Sequence, residues 1–321
     1  MSTFDFSGLT PDLILDAIES QGIRVESGLL ALNSYENRVY QFIAEDKKRY
    51  VAKFYRPQRW SQAQIQEEHD FSIELACHEI PVVAPLMFNQ QSLLRYHDFN
   101  FALFPSVGGR QFEVDNLHQV EWMGRFIGRI HGVAKSANFS HRPTISTDEY
   151  LVGPLQELQN SPLIPSGLQH AFFTILQQIV DLTLVLYSST NNIRLHGDCH
   201  PGNILWRDGP TFVDLDDCRS GPAIQDLWMM LSGDRQQQFI QMDTLVEAYQ
   251  EFCDFDATQL ALIEPLRAMR MVHYMAWLAR RWQDPAFPQA FPWFAEGKYW
   301  EQQILGLKEQ LSALQEPPLT L

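Results

Sequence analysis

Residues 196–203 read His196-Gly197-Asp198-Cys199-His200-Pro201-Gly202-Asn203, and Val213-Asp214-Leu215-Asp216-Asp217 follows after a short gap. The stretch offers a carboxylate at Asp198, an amide at Asn203 and a second carboxylate at Asp214. Phosphoryl transfer needs those groups. One carboxylate accepts the proton of the acceptor hydroxyl, while an amide oxygen and a second carboxylate hold the magnesium ions that neutralise the phosphates. Between them, Ile204-Leu205-Trp206 reads as an apolar strand and Arg207-Asp208-Gly209-Pro210 as a turn centred on Asp-Gly. Thr211-Phe212-Val213 is the return strand, with Asp214 at its end. A tight hairpin brings Asp214 back beside Asn203, where both can ligate one metal. The bland alternative makes Asp198 and Asp208 surface-turn residues and His196 and His200 ordinary loop histidines. It leaves the spacing and the hairpin unexplained together.

The motif from His196 to Asn203, Asp214, and the later Gly221-Pro222-Ala223-Ile224-Gln225-Asp226-Leu227 resemble the aminoglycoside phosphotransferase and choline kinase branch of the protein-kinase-like fold. Residues 32–40, 104–112 and 264–270 narrow the resemblance to bacterial Ser/Thr protein kinases of that branch that act in stress response. These segments span most of the chain. The catalytic motif is specific for the fold, and only the long segments point further. The resemblance implies an α+β, two-lobed fold, ATP as co-substrate with Mg2+, and a protein Ser or Thr hydroxyl as acceptor. It makes Asp198 the catalytic base, and Asp214 both a catalytic residue and, with Asn203, a metal ligand. It sets Ser34 against the ATP phosphates and the backbone around Phe104 against adenine. Asp226 braces the catalytic loop, with His196 as a further support.

Upstream, Val51-Ala52-Lys53 ends a strand-like run and resembles the kinase strand whose lysine touches the α- and β-phosphates and pairs with a helix glutamate. Ser61 and Gln64 form a capping box before a helix expected over residues 62–77. Glu67 and Glu68 both lie on it. Glu68 is preferred, because Phe71 and Leu75 then seat the same face on the core.

Departures from ordinary protein kinases bear on the acceptor. No Gly-x-Gly-x-x-Gly precedes Lys53, and a glycine-free segment, 33–40, takes its place. Gly197 stands where an arginine would read an activation-loop phosphate. The stretch from Asp214 to Asp226 is short for docking a peptide. That favours a small-molecule kinase, acting on an aminoglycoside, amino alcohol or sugar hydroxyl, as the alternative. A catalytically silent nucleotide-binding regulator is disfavoured by the intact Lys53, Asp198, Asn203 and Asp214.

The chain has 321 residues, 45% of them hydrophobic and 20% charged, enough for two lobes with substantial cores. The N-lobe is expected over residues 1–105, with strands at 39–43, 50–55, 82–84 and 99–104. The helical C-lobe is expected over 106–321, with helices at 121–131, 172–186, 245–252 and 260–282. The hinge falls at 104–109, where Pro105 and Gly108-Gly109 interrupt regular structure. Thr10-Pro11-Asp12 marks an N-terminal helix start. Arg267, Arg270, Arg280 and Arg281 share one helix with Trp277 and Trp282. They are expected on a solvated face rather than lining an acceptor site.

A net charge of −15 argues against broad nucleic-acid binding; it suits a cationic acceptor, peptide or aminoglycoside, but surface solubility alone is the expected reason for it. No apolar run reaches the roughly 18 residues of a membrane span, and no signal peptide is seen. The four cysteines lack zinc or disulfide spacing. A reducing, cytoplasmic setting is therefore expected. Cys199 and Cys218 lie close to Asp198 and Asp214, but packing is the expected role for both rather than a redox switch.

Overall fold

The computed structural model describes residues 6–188 and 191–321. Helix α1 (Pro11–Glu19) starts where Thr10 Oγ1 accepts the Leu13 amide and Pro11 needs no partner for a missing N–H. An antiparallel sheet follows, formed by β1 (Leu30–Ala31), β2 (Arg38–Ile43), β3 (Arg49–Phe54), β4 (Leu94–Tyr96) and β5 (Phe99–Pro105), in the order β1-β2-β3-β5-β4. Its register fixes what each face does. Lys53 pairs with Val39 on one side and Ala102 on the other, and Val51 pairs with Phe104. Side chains alternate along a strand, so these residues share the face that opens on a cleft. The opposite face carries Phe42, Ala52, Phe54, Phe101 and Leu103, which pack on Ile14, Ala17 and Ile18 of α1.

Helix α2 (Gln62–Cys77) connects β3 to the rest of the sheet and begins at the expected Ser61–Gln64 capping box. The expected strand at 82–84 does not form. Pro81 and Pro85 bracket that run, and only Val82 makes a bridge, a parallel one to Phe212. This segment ties the lobes together instead: Phe212 N donates to Pro81 O at 2.8 Å and Val83 N to Phe212 O at 3.0 Å. The strand next to β5 is β4.

Beyond β5 the chain is mainly helical. The order is β6 (Arg110–Gln111), α3 (Leu117–Ala134), α4 (Gly153–Gln159), α5 (Ser166–Leu186), β7 (Asn192–Leu195), β8 (Ile204–Trp206), β9 (Pro210–Phe212), β10 (Arg219–Pro222) and α6 (Ile224–Trp228). Then come α7 (Arg235–Tyr249), α8 (Ile263–Arg281), α9 (Ala286–Ala290) and α10 (Gly297–Gln315). Helix α7 starts ten residues before its apolar run, because Asp234 and Gln237 form a second capping box ahead of a polar first turn. Two small sheets, β7 with β10 and β6-β8-β9, hold the central loops on this helical body. Helices α3 and α7 approach closely at Gly124 and Gly128. A Cβ added there would lie 2.4 Å from Leu245 O and 2.6 Å from Tyr249 O. Phe287 and Phe294 are fully buried in the large core, so the aromatic-rich segment around them covers apolar surface.

Candidate active site

The loop from His196 to Asn203 leaves β7 and is shaped from below by one carboxylate. Asp226, 1% exposed, accepts the His196 amide at 2.8 Å and the Gly197 amide at 2.9 Å. His131 Nε2 lies 3.1 Å from the same carboxylate, and Tyr249 Oη lies 3.0 Å from His131 Nδ1. Gly197 has φ +83°, and a Cβ there would sit 2.2 Å from Asp217 O. No side-chain residue fits. His196 Nε2 bonds Val213 O at 3.0 Å and so clips the loop to the hairpin.

Asp198 and Asn203 face each other across this loop. Asn203 Nδ2 donates to Asp198 O at 2.9 Å and lies 3.4 Å from Oδ2. Asn203 O accepts the Val213 amide at 3.0 Å, which closes the hairpin of β8 and β9. Asp214 stands just past β9, not on it, in a left-handed conformation with φ +61°. The turn sends its half-exposed carboxylate toward the sheet, where Oδ1 is 3.2 Å from Lys53 Nζ.

Lys53 is buried among three carboxylates: Glu68 at 3.3 Å, Asp214 at 3.2 Å and Asp216 at 3.1 Å. Burial works against its charge, but the carboxylates outweigh that and raise its pKa well above the usual lysine value. Burial pushes Glu68 up to about 7, against the pull of Lys53. Glu67 points elsewhere and accepts the backbone amides of Ser140, His141 and Arg142. The glutamate beside Lys53 is thus Glu68 and not Glu67.

Several charged residues of the site carry no local motif. Arg142 donates to Glu68 Oε2 at 3.0 Å and to Asp216 O at 2.8 Å. Arg59 pairs with both Asp216 and Asp217. Arg270 Nη1 lies 2.5 Å from Asp198 Oδ1, and His200 Nε2 lies 3.4 Å from Oδ2. Burial would raise the Asp198 pKa, but the His200 hydrogen bond and the Arg270 charge bring it well below the usual carboxylate range. Arg280 of helix α8 is exposed as expected and pairs with Glu157, but Arg270 turns to Asp198 and Arg281 turns inward. Arg281 is 7% exposed and binds Glu36, whose carboxylate also meets Trp277 Nε1 at 2.5 Å and Arg56 Nε at 3.0 Å. Asp284 binds Arg56 at 2.6 Å and Arg38 at 3.1 Å. The glycine-free segment is thereby anchored on the opposite lobe, a long-range pairing that no local pattern announces.

Two cavities border the loop from His196 to Asn203. One, of about 310 Å³, lies between the lobes and is lined by Ser34, Lys53, Glu68, Phe104, Asn203 and Asp214. Ser34 Oγ donates to Asn37 O at 3.4 Å. The other, of about 270 Å³, lies on the far side of Asp198 and is lined by Arg59, Tyr150, Asp217, Arg270, Tyr274 and Trp277. Asn203 and Asp214 offer hard oxygen donors on one wall of the first cavity. Among the described residues no cluster of three or more His, Cys, Asp or Glu could hold a metal by itself. One carboxylate and one amide suit a small hard cation that takes its remaining oxygens from phosphate and water. Cys199 and Cys218 are buried, and burial raises both thiols, Cys218 to about 12, which leaves them packed and unreactive. No described helix is long and apolar enough to cross a membrane.

The model of a family described as "Phosphotransferase enzyme family" matches residues 29–263. Stress response kinase A of Escherichia coli O157:H7 is 56% identical over 321 residues, spanning 100% of this chain and 98% of that protein. A Salmonella typhimurium protein named "Serine/threonine protein kinase RdoA" is 54% identical over 324 residues, with the same coverage. Among solved structures, an amicoumacin kinase in complex with AMP-PNP, Ca2+ and Ami superposes with a TM-score of 0.70 at 19% identity, covering 91% of this chain and 89% of that one. A microcompartment-associated aminopropanol kinase superposes with a TM-score of 0.71 at 16% identity, covering 94% and 98%. These structures share the two-lobed kinase-like fold with this chain.

Proposed function

We propose that this chain, which belongs to the phosphotransferase enzyme family, transfers the γ-phosphoryl group of ATP to Ser or Thr hydroxyls of proteins and acts in a bacterial stress response. The observation that carries the phosphoryl-transfer reading is the meeting of Asp198, Asn203 and Asp214 at the boundary of two cavities, with the Lys53–Glu68 pair on one side only. The protein acceptor and the stress role are supported by the full-length likeness to relatives so named.

In this reading the cleft between the lobes takes ATP. Lys53, oriented by Glu68, holds the phosphates; Ser34 lies beside them, and the backbone near Phe104 meets the adenine. Asn203 and Asp214 are the residues that would hold magnesium, which supplies charge neutralisation on the phosphates when bound. Asp198 faces the second cavity, accepts the proton of the entering hydroxyl and orients its oxygen toward the phosphorus. Asp226 and His196 keep the loop in shape. Residues 1–105 form the nucleotide-side lobe and 106–321 the acceptor-side lobe, in the cytoplasm.

One observation favours a small acceptor instead. Between Asp214 and the start of α6 at Ile224 the chain forms a short 3-10 turn, Leu215–Asp217, and β10. The deciding experiment incubates the protein with labelled ATP and magnesium, once with basic protein acceptors and once with a panel of small alcohols. The expected product is acid-stable, alkali-labile phosphate on protein Ser or Thr. Rapid phosphorylation of one alcohol with no protein phosphate would replace the acceptor and keep the fold.

A further inference from the structure

We propose that Arg270 selects the acceptor by reading a negatively charged group next to the hydroxyl that is phosphorylated. The proposal deepens the reading above, resting on Asp198 as the base, and names the class of hydroxyl it serves.

Arg270 differs from the other arginines of the site. Arg59 pairs with Asp216 and Asp217, and Arg219 with Asp217 and Glu149. Arg270 meets a single carboxylate, Asp198, through a single nitrogen. Its Nε and Nη2 have no hydrogen-bond partner among the described residues, and its side chain is 41% exposed at the acceptor cavity. A guanidinium presents its donors in a planar fork suited to a carboxylate or phosphate. Most of this fork is unused.

The cavity offers little to a cationic acceptor. Its carboxylates are Asp198 and Asp217. Asp198 is held by Arg270, and Asp217 by Arg59 at 2.8 Å and Arg219 at 3.1 Å. An incoming ammonium would find no unpaired carboxylate and would face two guanidinium groups, Arg59 and Arg270. The net charge of −15 belongs to the whole surface and does not describe this cavity.

The geometry also links recognition to proton transfer. A hydroxyl must come within about 3 Å of an Asp198 oxygen to give up its proton. Arg270 occupies Oδ1, while His200 and Asn203 both stand at 3.4 Å from Oδ2. A hydroxyl that reaches either Asp198 oxygen therefore comes to rest beside the guanidinium, whose free donors can take an anion carried on the acceptor. The acceptors that meet these conditions are Ser or Thr flanked by Asp, Glu or a phosphorylated residue. Among small molecules they are hydroxy acids.

The test uses serine peptides that differ only in the residue after the serine: Asp, phosphoserine, Ala or Lys. Their kcat/KM is measured at fixed ATP and magnesium for the wild type, Arg270→Gln and Arg270→Glu. The wild type is expected to prefer Asp and phosphoserine over Lys by roughly ten-fold or more, the scale of one charge-assisted hydrogen bond. Arg270→Gln should lose the ranking, and Arg270→Glu should favour Lys. Equal use of Asp and Lys peptides by the wild type, or an unchanged ranking in Arg270→Gln, overturns the role of Arg270 and leaves the protein-kinase reading standing. If no peptide is phosphorylated, the protein-acceptor reading falls, and matched alcohols decide on Arg270: glycerate against glycerol, and serine against ethanolamine. A preference for the carboxylate-bearing alcohol that vanishes in Arg270→Gln supports the assignment, and its absence overturns it. No transfer to any acceptor overturns both readings.

Discussion

At the scale of single residues, the two aspartates at the hairpin should fail in different ways. Asp198 lines the cavity proposed for the acceptor and Asp214 the cleft proposed for the nucleotide. Asp198→Ala should lower kcat by about 10²–10⁴, the usual loss of a general base, with ATP binding retained. Comparable turnover of mutant and wild type would remove Asp198 from the mechanism. Asp214→Ala should in addition weaken the magnesium-dependent part of ATP binding, read by titrating ATP with and without the metal. A full magnesium effect in the mutant would mean that Asp214 is not the metal ligand. Glu68 predicts a pH effect whose sign is fixed. Burial raises it from 4.5 to about 7, so the folded protein keeps a proton that the unfolded chain releases in that interval. Its contribution to stability therefore declines as pH rises from 4.5 to about 7. Thermal midpoints recorded across that interval should fall less in Glu68→Gln than in the wild type. Equal slopes would mean that Glu68 does not titrate there.

At the scale of elements, the contact of α3 with α7 carries the catalytic loop indirectly. His131 on α3 and Tyr249 on α7 stand behind Asp226, which holds the loop amides. Gly124 and Gly128 let the two helices approach, and glycine inside a helix is otherwise unfavourable by roughly 1 kcal/mol. Gly128→Ala should therefore destabilise by about 1–3 kcal/mol through overpacking, although alanine is the better helix former. Chemical denaturation measures this, and a stabilised variant would show that the helices can separate freely. Elements with strong local signals were legible in the chain: the capped start of α2, the hairpin of β8 and β9, and the apolar stripe of α3. The failures have physical causes. Residues 82–84 looked like a strand by composition, but the flanking prolines and the pull of Phe212 send them across to the other lobe. The first turns of α7 were missed because they are polar and only their cap speaks for a helix. Within the site, Lys53, Glu68, Asp198, Asn203 and Asp214 could be picked out by motif and order along the chain. Arg59, Arg142 and Arg270 could not, because an arginine in a polar stretch normally points to water. Arg142 meets Glu68 only through a fold that brings together residues 74 positions apart.

At the scale of the whole molecule, the lobes are latched by Glu36, which binds Arg56 of its own lobe and Arg281 of the other, and by Asp284, which binds Arg38 and Arg56 across the gap. Glu36→Gln leaves Arg56 and Arg281 poorly compensated in a largely buried place, where breaking one side of an ion pair costs about 3–5 kcal/mol. It should lower the thermal midpoint and raise the KM for ATP more than it lowers kcat. A change in kcat alone would mean that the latch does not position the nucleotide segment. Helix α8 has a further consequence. Arg270 touches Asp198, the proposed base, and Arg281, eleven residues on and about 16 Å along the same rod, grips the segment over the proposed nucleotide cleft. The two ligands then share one lever, and their binding energies cannot be independent. Thermodynamic reciprocity requires that an unreactive acceptor analogue change the affinity for ATP by the same factor by which ATP changes the affinity for the analogue. Calorimetric titrations performed in both orders should return one coupling factor different from unity, and Arg281→Ala should bring it to one.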